Sequence, residues 1–150
     1  MTTAAARARD SRVFVARVPA LEEARAFVET FGVSHGLAHD DVLRAVLVVE
    51  ELFTNSLQHG YGRECDEPIE IALEAHVDAM TLHYRDAAPR HDPLSGLEES
   101  RAALEAPLHA RPVGGLGVPL VAGLAEHVAY AFENGRNCLR VTLRAMTARA

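Results

Sequence analysis

The sequence predicts an α+β protein: a two-layer α/β sandwich in which helices cover one face of a mixed, mostly antiparallel sheet. Three observations point there. Val- and Ile-rich runs with two-residue alternation come in adjacent pairs (residues 69–86 and 127–145), two helical stripes stand together near the start, and neither linker nor repeat divides the 150 residues. Adjacent strand pairs favour antiparallel hairpins, and helices gathered on one side of a sheet bury that face alone. A chain of this length forms one domain with room for a sizeable core.

The elements follow in order. RVFVARV (12–18) alternates and reads as a strand that Pro19 ends, after a flexible leader over 1–11. Leu21, Ala24, Phe27, Val28 and Phe31 make a helical stripe closed by Gly32. Asp40 or Asp41 caps a longer helix that runs through EELFTNSLQH and stops at Gly60. Its apolar side, Val42, Val46, Val49 and Phe53, is expected on the sheet. IEIALEAHV and MTLHYRD read as paired strands turning at Asp78 and Ala79. The segment from Ala88 to Gly115 is polar, carries four prolines and reads as a long loop of the functional kind. GLGVPLVAGLAEH reads as a helix with Pro119 in its first turn, and HVAYAFE and NCLRVTLRA as a hairpin around Asn134 to Arg136.

Composition excludes several functions. The net charge is −6, which disfavours general binding to nucleic acid or to anionic membranes. All 15 Lys-plus-Arg residues are Arg, so a phosphate-loop lysine is ruled out and any phosphate contact falls to Arg, His, backbone amides or a metal. Cys65 and Cys138 show no ligand spacing and read as free buried thiols in a reducing compartment. No run is long enough to span a membrane and the N-terminus lacks a signal-peptide core, so a cytoplasmic location is expected.

Three segments carry candidate chemistry. Glu51, Asn55 and His59 stand at four-residue steps, a polar row about 12 Å long at ~1.5 Å per residue. An Asn amide oxygen suits Mg²⁺, and a carboxylate one turn away can take a proton from a nucleophile. A solvated helix face would carry the same residues. Asp86 ends an apolar strand, where a carboxylate can accept a hydrogen bond from adenine N6 but faces the lone pairs of a guanine carbonyl; a turn-initiating Asp is the plainer reading. Gly114, Gly115 and Gly117 precede a helix, and bare backbone amides there can approach phosphate, although a hinge looks the same.

In their order and separation these segments resemble the histidine-kinase-like (GHKL) ATPase superfamily, the Bergerat fold of gyrase and the histidine kinases. More closely, the chain is similar to the small serine kinases that act as anti-sigma factors in bacterial partner switching. ELFTNSLQHGY resembles that family's N box, Asp86 with the following HDP its first glycine box, GGLGVPLV its second, and YAFENGRNCLR its last hairpin. The resemblance runs from Val13 to Leu143.

The resemblance implies Glu51 as the general base, Asn55 as ligand of a Mg²⁺ that bridges the ATP phosphates, and Asp86 as the adenine contact. Gly115, Leu116 and Gly117 would meet phosphate through their backbone, 93–113 would form the ATP lid, and Arg111 or His59 could approach phosphate. Ala88 stands where the family has Gly, a methyl that could crowd adenine or forbid a positive φ. The implied substrate is a Ser on a STAS-domain anti-sigma-factor antagonist, and the implied second partner a sigma factor or analogous regulator. A homodimer through the sheet edge or early helices is expected. A nucleotide-dependent sequestering module without useful kinase activity is the alternative, motivated by Ala88. A detached histidine-kinase catalytic domain is a third reading.

Overall fold

A computed structural model describes residues 5–94, 121 and 123–146. Strand β1 (Ala8–Val15) leads into helices α1 (Val18–Ser34) and α2 (His39–Asn55), a π-helical turn (Ser56–Gly60), strands β2 (Pro68–Ala75) and β3 (Ala79–Asp86), and the hairpin β4 (His127–Glu133) and β5 (Arg136–Arg144). The five strands lie in the order β1-β2-β3-β5-β4, and all four pairings are antiparallel.

Alternation decides which side chains meet the helices. Register aligns Ile71, Tyr84 and Leu139 in one row and Leu73, Leu82 and Val141 in the next, all buried. Val28 and Phe31 of α1 and Val46, Val48, Val49 and Phe53 of α2 close over them. The other face is polar: Glu70 lies 3.6 Å from Arg85 and 3.3 Å from Arg136, and Glu74 pairs with His83. Pairs on an open, solvated face contribute little to stability. Among the described residues no helix is long and apolar enough to cross a membrane.

Several boundaries differ from expectation for physical reasons. β1 starts at Ala8, inside the expected leader, because Ala8 to Ser11 pair along β2 from Ala75 to Ala72. That partner is some sixty residues away and leaves no local signal in the sequence. α1 takes in Val18, with Pro19 in the first turn, where a missing N–H costs nothing. The helix passes through Gly32 to Ser34, and Gly36 (φ 67) makes the left-handed exit. Gly32 instead serves close packing, since a Cβ there would collide with the Val42 side chain of α2.

Neither Asp40 nor Asp41 is the cap of α2. Ala38 holds that position without a side-chain bond, and both Asp residues lie in the first turn. Asp41, 3% exposed, bonds Arg44 at 2.9 Å and accepts the Met146 N–H at 3.1 Å. The β2–β3 connection is His76 to Asp78, closed by the His76 N–H on the Ala79 carbonyl at 2.8 Å. In the β4–β5 turn Asn134 (φ 54) and Gly135 (φ 74) both take the positive φ that a two-residue turn between twisted strands demands. Both thiols are free, but half-buried rather than buried. Most of the long loop and of the helix after it lies outside the described residues; Val121, Gly123 and Leu124 are helical.

Gly32→Ala should test the α1–α2 contact by sign. The added methyl gains ~1 kcal/mol of helix propensity, but overpacking against Val42 costs about 1–3 kcal/mol. We expect a lower melting temperature in the wild-type background and a higher one when Val42→Ala supplies the room. Stabilisation in both backgrounds would mean that the two helices are not in contact there.

Candidate active site

Polar contacts, as well as apolar packing, bring the C-terminal end of α2 onto the sheet. Ser56, the residue after Asn55, is 1% exposed and donates its hydroxyl to Asp86 Oδ2 at 2.7 Å. Its Oγ also lies 2.7 Å from Tyr84 Oη, which donates to the Leu52 carbonyl at 3.0 Å. A serine hydroxyl carries one proton. With that proton on Asp86, Tyr84 shares its own between Leu52 and Ser56.

Asp86 ends β3 with 8% exposure, opposite Asn137 in the register. Its Oδ1 accepts Asn137 Nδ2 at 2.9 Å and the Ala88 N–H at 3.2 Å. Among the described residues Oδ1 thus takes two donors and Oδ2 one, which leaves the spare acceptor capacity on Oδ2. Burying a carboxyl is costly unless donors replace water, and strand end, helix end and loop each contribute one.

The π turn sets the spacing. Its i→i+5 bond, from the Tyr61 N–H to the Ser56 carbonyl at 2.7 Å, makes a wider turn than an α-helix. Tyr61 then donates to the Pro68 carbonyl at 2.7 Å and accepts the Ala87 N–H at 2.8 Å, tying the helix end to the strand ends on both sides of the site. Gly60 comes so close that a Cβ there would lie 3.3 Å from Ala88 Cβ and 3.4 Å from Asp86 Oδ2.

The geometry at Ala88 answers one part of the expectation, that of a forbidden positive φ. Asn134 alone among the described non-glycine residues has a positive φ, so Ala88 is unstrained. Its methyl is buried and faces the space that Gly60 leaves empty.

Glu51 and Asn55 are half-buried, and neither has a hydrogen-bond or ion-pair partner among the described residues. The adjacent Glu50, by contrast, is engaged by Arg25 at 2.9 Å across the α1–α2 interface. One helical turn, about 5–6 Å between Cβ atoms, separates Glu51 from Asn55. His59 sits within the π turn, past the end of the α-helical row, and is exposed. The structure therefore joins Asp86 to Ser56 and to the Ala88 N–H and sets the Ala88 methyl beside Gly60, while Asn55 precedes Ser56 in the chain with Glu51 one turn back along α2. Arg111, Gly115, Leu116 and Gly117 lie outside the described residues. A depression lined by Val13, Pro68, Glu70, Arg85, Asp86 and Arg136 opens on the sheet's outer face, away from the α2 row.

Sequence reasoning missed Ser56, Asn137, Gly60, Tyr61 and Tyr84. Ser56 had one signal, its place immediately after Asn55. Asn137 read only as the first residue of the last strand.

Burial also governs the tyrosines. It pushes the Tyr61 phenol up to about 12, against the lowering effect of the Ala87 N–H, and raises Tyr84 well above its ordinary value despite the Ser56 bond. Tyr130 is raised as well, again chiefly by burial.

The sequence model of the family described as histidine kinase-like ATPase domain matches residues 14–143. No curated protein matches the chain.

The tyrosine environment predicts an alkaline transition. A phenol raised in the folded state keeps its proton where the unfolded chain loses one. The resulting stability is complete below the unfolded value of 10.0 and is lost as pH rises through the folded values. All three tyrosines are raised, so at about pH 10.5 the native protein should show less tyrosinate absorbance than the denatured chain, which is more than half ionised there. Matching titration curves would show that these rings are not buried.

Proposed function

The chain belongs to the histidine kinase-like ATPase family, and from that premise we propose that it is an ATP-dependent protein serine kinase of the anti-sigma-factor type. Membership implies ATP as the nucleotide, typically with Mg²⁺. The observation that carries the kinase reading is the pairing of two unengaged side chains, Glu51 and Asn55, on a helix whose next inward residue, Ser56, is bonded to Asp86.

The donor set fits the nucleotide and its metal. Asp86 Oδ2 has acceptor capacity left for an exocyclic amino group, which selects adenine over guanine. Asn55 supplies a neutral oxygen of the kind that Mg²⁺ accepts beside phosphate. When bound, the ion neutralises charge on the transferring phosphoryl group. Gly115, Leu116 and Gly117 are the proposed backbone contacts to phosphate.

Glu51 then acts on the acceptor. Its carboxylate takes the proton of a serine hydroxyl as that oxygen bonds to the γ-phosphorus, and the bond from γ-phosphorus to the β–γ bridging oxygen breaks to release ADP. Most of the rate enhancement comes from positioning, which suits a site with few dedicated side chains. The acceptor in this reading is a serine on a small STAS-domain antagonist, and the same protein sequesters a sigma factor or analogous regulator. The competing view, a sequestering module without transfer, drew on Ala88. Ala88 is without the backbone strain that view invoked, and nucleotide binding without any transfer is the result that would favour it.

Transfer from radiolabelled ATP to co-purified acceptor protein tests the assignment. Glu51→Ala should retain nucleotide binding and lose transfer by about 10²–10⁴-fold, the range of a lost general base. Asp86→Asn should weaken ATP binding before it affects the transfer step. Equal transfer rates for wild type and Glu51→Ala would remove Glu51 from the chemistry.

A further inference from the structure

Asn137 opens β5 directly across from Asp86 and is 5% exposed. Its Nδ2 faces three oxygens at once: Asp86 Oδ1 at 2.9 Å, and the carbonyls of Ala88 and Pro89, each at 3.1 Å. Its Oδ1 accepts the His91 N–H at 2.9 Å and the Tyr130 hydroxyl at 2.6 Å. The partners dictate the orientation of the amide, because the reverse would set its carbonyl against three acceptors and its NH₂ against two donors.

One amide therefore does two things. It holds the Asp86 carboxyl so that Oδ1 is occupied and the spare lone pair lies on Oδ2, and it holds the backbone of residues 88–91 as that segment leaves the strand. Without the NH₂, a carboxylate and two carbonyls would face one another in a nearly dry space, each with an unmet demand for a donor. Relief would come from rotation of Asp86 or displacement of the loop, and either would move Oδ2.

Resting on the ATP reading above, we propose that Asn137 is a positioning residue for base recognition: it sets Asp86 and the 88–91 backbone as one unit, so that selectivity for the adenine amino group depends on a side chain that does not touch the base. A hydroxyl at this position has a single proton and a shorter reach, so it cannot serve both the carboxyl and the two carbonyls.

The test compares Mg²⁺-loaded ATP with purine riboside triphosphate, which lacks the 6-amino group, by calorimetry on wild type and Asn137→Ser. Wild type should prefer ATP by at least about tenfold, the worth of one hydrogen bond to a buried charged group. Asn137→Ser should bring the preference to about twofold or less, while affinity for the amino-free analogue stays within about threefold of wild type. A purely structural role would weaken both nucleotides by the same factor, and that result, or an unchanged preference, overturns the proposal. Asn137→Thr, bulkier and β-branched, replaces Asn137→Ser if the latter does not fold; failure of both to fold assigns Asn137 to stability alone. A wild type without any preference would instead overturn the reading of Asp86 as the adenine contact.

Discussion

A carboxyl group at the end of an apolar strand, 8% exposed, must be given donors by its surroundings or it will destabilise the fold by several kcal/mol. Asp86 receives them from three directions: Ser56 at the end of α2, Asn137 at the start of β5, and the backbone of its own loop. That requirement fixes where the end of α2 can sit. Once Ser56 is committed to Asp86, Asn55 and Glu51 are carried on the adjoining helix, their side chains without partners among the described residues. The placement of that row is thus a consequence of how the buried carboxyl is satisfied.

The same economy of space recurs wherever elements approach closely. Gly32 lets α1 lie against Val42, and Gly60 lets the π turn meet the Ala88 methyl beside Asp86. At its other end α2 is held differently, by Asp41 and Arg44; the Arg44 guanidinium reaches the carbonyls of Leu124 and Arg144. The helix is fastened at both ends by polar contacts, buried at Ser56 and part-buried at Arg44, and in the middle by Val46, Val49 and Phe53.

The elements with short-range signals were legible in the sequence. The apolar stripe of α2, the β2–β3 alternation and the Asn-Gly turn of the last hairpin each follow from local periodicity or a local φ requirement. The row of Glu51 and Asn55, and Asp86 at a strand end, were readable for the same reason. Long-range facts were not. The extension of β1 to Ala8 depends on β2, and Asn137 reads as an ordinary strand residue until β5 is laid between β3 and β4. The π turn was also invisible: one added residue per turn leaves no signature, yet it brings Tyr61 to Pro68 and Ala87. Ala88 shows the converse. Its backbone takes an ordinary φ, and its methyl packs where a glycine twenty-eight positions earlier leaves room.

A crystal structure of the protein with Mg²⁺ and a non-hydrolysable ATP analogue tests the account most directly. Occupancy of one site should place the adenine amino group about 3 Å from Asp86 Oδ2, with the metal on the Asn55 amide oxygen and the γ-phosphate turned toward Glu51. A nucleotide bound elsewhere, or one whose amino group faces solvent while Asp86 stays closed over Ser56 and Asn137, would contradict it.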